Sequence, residues 1–219
     1  MVGTLTIAAA VGVAAIGWTI FSKIQFVRGY WKQCQAETVG NANGTKCSSW
    51  LDNDATPIWF RVNDVIMGGK STSELGTDSE GRLVFSGTIN TNGGGFASMR
   101  TSEACVVKVP ADATSIRLTV EGDGQLWKAN LGLSHSLMDS NPTFSHDFLT
   151  TKGAVTTHVL PLAEFAANKR GQKLPDVKLD PSQVQYVGLI LSLYTQEGEP
   201  NPHFGDGPFQ IILHELEFV

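Results

Sequence analysis

From about residue 50 onward, apolar and polar positions alternate in short runs and do not recur at helical spacing. Ile58–Val62, Arg82–Gly87, Phe96–Arg100, Cys105–Val109 and Ser115–Val120 are such runs, and Gln125–Leu131, Val155–Leu160, Val187–Leu193 and Phe209–Phe218 continue the series. Each reads as a strand with one face turned to a core. Turn chemistry separates them at Gly81, Asn92-Gly93, Gly122-Asp123-Gly124, Asn141-Pro142, Gly171 and the stretch from Glu197 to Gly207. The one segment of helical character in this half, Leu162–Asn168, is opened by Pro161, a residue suited to a first helical turn. Many short strands at close spacing predict an all-β domain over residues 53–219, built as a sandwich or jelly roll.

The N-terminus follows a different pattern. Met1–Ser22 carries no charged side chain, and Leu5–Phe21 is mostly Ala, Val, Ile, Gly and aromatic. Roughly twenty apolar residues span the hydrocarbon core as a helix, so residues 3–22 are expected to cross the lipid bilayer once. Trp18 and Phe21 suit the interface, and Lys23, Arg28 and Lys32 precede the first acid, Glu37. We therefore divide the sequence into an anchor with its basic flank (residues 1–33), a polar linker (34–52) and the β-domain (53–219). A cleaved signal peptide is the competing reading, but no basic residue precedes the apolar run. The basic flank places the β-domain on the matrix, stromal or cytosolic side. Cys34 and Cys47 would instead suit a disulfide in an oxidising space, and Asn43-Gly44-Thr45 a glycosylation site in a lumen. Cys105 reads as a free cysteine in a strand, acting as a small core hydrophobe.

Net charge changes the picture by exclusion. At −5, with 17% charged residues, the protein has no basic footprint for nucleic acid. His135, His146, His158, His203 and His214 are dispersed, with no metal-ligand spacing, and three cysteines form no C-x-x-C. No nucleophile elbow occurs. Asp52, Asp54, Asp123 and Asp206 fall in turns and Asp139 and Asp147 flank a proline loop; the plain reading of all six is solvated loop residues. Neither a catalytic set, a cofactor site nor a metal site emerges.

Two glycine-rich turns carry the strongest signal. Asp64-Val-Ile-Met-Gly-Gly-Lys-Ser71 and Asn92-Gly-Gly-Gly-Phe-Ala-Ser-Met-Arg100 both run into β-type sequence, so the backbone must bend tightly or be closely approached at two places. Gly69-Lys70-Ser71 ends like a phosphate loop, yet Asp64 stands where the leading glycine belongs and puts a carboxylate where an anion would lie. Gly68, Gly69, Gly94 and Gly95 are therefore structural turn residues, whereas Asp64, Lys70, Ser71, Asn92 and Arg100 are candidates for an exposed interaction surface.

This motif pair resembles the thirty-kilodalton complex I intermediate-associated protein family. Further matches, in order, are Phe85-Ser-Gly87, Gly122-Asp-Gly124, Pro161–Phe165, Gly171, Pro181, Val187-Gly188 and Gly207-Pro-Phe209. The resemblance implies a galactose-binding-like, two-sheet jelly-roll sandwich and a role in assembling membrane-bound electron-transfer complexes, respiratory or photosynthetic. Its partners would be subunits of such a complex in the mitochondrial inner membrane or the thylakoid, and no cofactor is implied. The sequence departs from the mitochondrial assembly factor in opening with an apolar span rather than a basic transit region. The competing function is a carbohydrate-binding module, with Trp50, Trp59, Trp127 and Tyr194 as aromatic platforms.

Overall fold

The computed structural model describes residues 59–103, 105, 107–136, 140–169 and 172–219. The apolar span, its basic flank, the linker, Cys34, Cys47, Trp50, Asp52, Asp54, Asp139 and Gly171 lie outside them. Among the described residues no helix is long and apolar enough to cross a membrane.

The fold runs through β1 (Trp59–Asn63), β2 (Thr72–Thr77), β3 (Leu83–Ile89), β4 (Phe96–Thr101), β5 (Ser115–Glu121) and β6 (Leu126–Gly132). It continues through β7 (Thr143–Leu149), β8 (Val155–Pro161), β9 (Ala166–Lys169), β10 (Gln172–Lys173), β11 (Tyr186–Ser192) and β12 (Gly207–Phe218). Two antiparallel sheets result: a seven-stranded one in the order β1-β4-β11-β6-β7-β9-β10 and a five-stranded one in the order β2-β3-β12-β5-β8. Neighbours in each sheet are mostly distant in sequence, so pairing is largely long-range.

Period-two alternation explains how the sheets face each other. In β6, Trp127, Ala129 and Leu131 are buried while Lys128 and Asn130 between them are partly exposed. The inward residues interdigitate with those of the five-stranded sheet, where Phe85, Ile116, Leu118, Val120, Phe209, Ile211 and Leu213 are buried. Phe85, Trp127 and Phe209 form an aromatic cluster with centroids 5.2 to 6.1 Å apart, two of its three contacts edge-on, as ring quadrupoles favour.

Four expectations need correction. Cys105 and residues 107–109 form no strand: Cys105 sits in a bend closed by its N–H to the Ser102 carbonyl, and it is buried and disulfide-bonded, not free. Leu162–Asn168 holds only a 3-10 turn at Leu162–Glu164 before the backbone straightens into β9, because Phe144 and Ser145 of β7 offer it strand partners. Strand β7 is absent from the sequence pattern because its outer face, Thr143, Ser145 and Asp147, looks like loop composition. Asp123 is no solvated loop residue: it accepts from the Trp127 indole N–H at 3.1 Å and from the Gln210 amide at 3.0 Å, tying β6 to β12.

Candidate functional site

The two glycine turns meet at one carboxylate. After β1 the backbone makes a 3-10 turn over Asp64–Met67, ended by Gly68 in the left-handed region at φ 91°. Asp64 is only 1% exposed. Its carboxylate accepts from the Ser71 amide at 3.0 Å, the Ser71 hydroxyl at 2.7 Å and the Phe96 amide at 3.4 Å. Ser71 in turn accepts from the Asn90 amide at 3.1 Å. A Cβ on Gly69 would come within 2.3 Å of this carboxylate, and one on Gly94 within 2.2 Å, so only glycine fits on either side of it. Gly95 has its own close neighbour in Leu193, 3.2 Å from a Cβ position. The signature motifs thus build a closed buried hub, whose donors all come from the protein itself.

Of the residues expected on an exposed surface, Lys70 and Asn92 are exposed, whereas Asp64, Ser71 and Arg100 are buried. The reason is the hub for the first two. Arg100 is held elsewhere, on the outer face of the seven-stranded sheet.

That face carries three cross-strand rows. Phe60, Arg100, Gly188, Asn130 and Ser145 lie opposite one another across β1, β4, β11, β6 and β7. On one side runs Tyr186–Gly132–Thr143–Asn168 across β11, β6, β7 and β9. On the other runs Val62–Ser98–Ile190–Lys128–Asp147 across β1, β4, β11, β6 and β7. Where Gly132 and Gly188 stand in these rows the face sinks into a cavity of about 230 Å³. The Tyr186 ring lies directly over Gly132, with a Cβ position only 1.9 Å from a ring carbon.

Arg100 crosses this floor between two rings. Its guanidinium carbon is 4.9 Å from the Phe60 centroid and 4.6 Å from that of Tyr186. One terminal nitrogen donates to the His135 carbonyl at 2.6 Å, while the buried Nε has no partner among the described residues. Burial, and next the Arg100 charge, pushes the His135 imidazole below its ordinary value. Beside Arg100 is a series of neutral polar groups: Ser145 donates to Asn130 Oδ1 at 2.8 Å and Asn168 donates to Ser145 at 3.2 Å. Ser98 donates to the Val62 carbonyl at 2.6 Å.

The third row ends in a latch. Lys128 donates to the Tyr194 carbonyl at 2.6 Å, and Asp147 accepts from the Gln196 amide, pinning the loop after β11 to the sheet. Burial pushes the Lys128 ammonium down and the Asp147 carboxyl up. The hydroxyls of Ser98 and Ser145 bond to carbonyl and amide groups, an arrangement that orients a bound group and activates no nucleophile. Among the described residues no cluster of three His, Cys, Asp or Glu could hold a metal ion.

Two of the candidate sugar platforms are core residues: Trp59 and Trp127 are fully buried, whereas Tyr194 is 53% exposed on the latch loop. Tyr186, Asn130, Ser145, Asn168 and Lys169 carry no mark in the sequence that would single them out. The one signal for this face is Gly188, a lone glycine inside an otherwise apolar strand, which marks a close backbone approach. Nothing in the sequence, however, aligns it with Arg100 and Asn130.

Two antiparallel sheets packed face to face, with a polar furrow across one outer face, define the class: an all-β sandwich domain. Its fold is similar to the family 11 carbohydrate-binding module of the cellulosomal cellulase Lic26A-Cel5E of Clostridium thermocellum. The TM-score is 0.54 at 9% identity, covering 82% of this chain and 96% of that one. A family 11 module of the same organism, in complex with a β-1,3-1,4-mixed-linked tetrasaccharide, gives 0.52 at 11% identity over 77% of this chain and 92% of that one. At such identities the likeness concerns the fold alone. No curated protein matches the sequence. Residues 49–213 match the model of complex I intermediate-associated protein 30, and the protein belongs to that family.

Proposed function

We propose that this protein is a membrane-anchored, non-catalytic assembly factor or accessory subunit of a membrane electron-transfer complex, docking a partner subunit on the outer face of its seven-stranded sheet. Family membership supports the kind of complex, and the Arg100 furrow supports the surface. One observation carries the reading. A buried guanidinium, the Tyr186 ring, the Ser98 hydroxyl and the Asn130 amide converge on an open cavity, with hydrogen bonds suited to holding and not to reacting. Lys70 and Asn92, exposed on the glycine turns, extend the docking surface toward the end of the sandwich. We place residues 3–22 in the bilayer of an organelle energy-transducing membrane. The basic flank argues for the matrix or stromal side, and the disulfide at Cys105 for an oxidising one. Protease protection in intact organelles separates these two sides.

The test is gentle detergent solubilisation of the membrane followed by native gel separation. The protein should co-migrate with subunits of a larger complex, and alkaline carbonate should leave it in the pellet. Migration as an isolated polypeptide would overturn the docking reading.

A second reading, sugar binding, is favoured by the likeness of fold to modules one of which is seen with a tetrasaccharide. Titration of the full-length protein with that mixed-linked tetrasaccharide decides it. Against it, Tyr186, the ring that lines the furrow, is 8% exposed and Phe60 beside Arg100 is 7% exposed, so neither offers a pyranose an open platform there.

A further inference from the structure

The furrow is positively charged in a protein that is not. Arg100 and Lys169 both line the cavity, while no Asp or Glu among the described residues does, in a protein of net charge −5. Arg100 is 8% exposed, yet it has no carboxylate within ion-pair distance among the described residues. Its compensation is two ring faces and one carbonyl, leaving the Nε proton unanswered. Lys169, at the end of β9, likewise has no ion-pair partner among these residues. A buried cation without a counter-ion is costly to a fold, and ring faces offset only part of that cost.

We infer that the furrow is a receptor for a carboxylate of the partner polypeptide, either an Asp or Glu side group or its C-terminal carboxylate, held between Arg100 and Lys169. This rests on the docking reading above. With one terminal nitrogen on the His135 carbonyl and Nε buried, the other terminal nitrogen is the donor left for a carboxylate, and the rings already fix its orientation, so little side-chain entropy is lost on binding. Asn130 and Ser98 line the same cavity as neutral groups able to bond to the peptide that carries the acid. Gly132 and Gly188, which also line the cavity, leave room for the Tyr186 ring and for Arg100 itself. An acidic glycan is disfavoured because Arg100 already covers the ring faces a sugar would use.

Carbodiimide coupling tests this on the full-length protein within its native complex, since it joins an amine only to a carboxylate in contact with it. Lys169 should be found coupled to an acidic residue or the C-terminus of a co-migrating subunit, and Lys169→Gln should remove that cross-link alone. Lys169→Glu, with an unchanged melting temperature as the check on its fold, should lower recovery of the complex roughly tenfold, the scale of a lost charge pair at an interface. If the complex forms but Lys169 couples only within its own polypeptide, or Lys169→Glu is recovered in full, the carboxylate receptor is overturned while docking stands. If the protein migrates alone, both fall. Binding of an oligogalacturonate to the isolated full-length protein, abolished by Lys169→Glu, would replace the polypeptide by an acidic glycan and overturn the inference.

Discussion

Asp64 and Arg100 are both buried charges, both beside β1 and β4, and the protein treats them in opposite ways. Around Asp64 every donor is supplied from within: two groups of Ser71 and the Phe96 amide, with Gly69 and Gly94 shaped to admit them. Arg100 is braced by Phe60, Tyr186 and the His135 carbonyl, but one side of its surroundings is an open cavity. A charge satisfied completely from within is a structural device. One that is oriented and left incomplete is what the proposed docking of a partner would use.

Removing the first charge should have the largest effect. Asp64→Ala strands the Ser71 and Phe96 donors in a dry interior, and we expect a loss of about 3 kcal/mol or more by denaturant unfolding. Should this variant melt like the parent, the hub is not structural and the contrast collapses. Next come Gly94→Ala and Gly69→Ala, which drive a methyl into the Asp64 carboxylate and should cost about 1–3 kcal/mol each, the usual scale of overpacking. Their effects should shrink in an Asp64→Ala background, because the obstructing group is then gone.

Arg100→Met sharpens the comparison from the other side. An apolar side group of similar length keeps the packing against Phe60 and Tyr186 while removing an uncompensated charge, so stability should stay within about 1 kcal/mol of the parent. Recovery of the native complex should nevertheless be lost. A variant that unfolds as Asp64→Ala does would make Arg100 another structural hub.

The smallest expected effect lies in the latch. Burial raises the Asp147 carboxyl in the folded state, so the folded protein binds the proton more tightly than the unfolded one. The resulting stability is fully present below the ordinary Asp value near ~3.9 and is lost as pH rises through the folded value. Asp147→Asn should flatten this fall, its melting temperature gaining on the parent as pH rises above the ordinary Asp value. Parallel profiles would show that the carboxyl is not held high.

The hub is half legible in the sequence and the furrow hardly at all. Glycines clustered after Asp64 and before Phe96 announce close approaches on their own, because the missing Cβ is written in the sequence. What they approach is not, so Asp64 and Ser71 look like exposed turn residues when both are buried. Asp123 misleads in the same way: a turn aspartate between two glycines looks solvated until β12 brings the Gln210 amide to it. Cys105 has no local sign of a disulfide, since the bond depends on a residue elsewhere in the sequence.

Alternation in β3, β5, β6, β11 and β12 determined without any tertiary knowledge that the domain is all-β, with strands that each turn one face to a core, and that the turns fall at glycine and proline. Those are local consequences of a two-residue period and of backbone sterics. Only the tertiary structure decided which strands lie side by side. Strands β4, β11, β6 and β7 come from four separate parts of the sequence, and their long-range hydrogen-bond register is what places Arg100, Gly188, Asn130 and Ser145 in a single row. A period of two tells which face a residue occupies, but never which residue stands beside it on the next strand; that is set by the pairing, and the furrow consists of such neighbours.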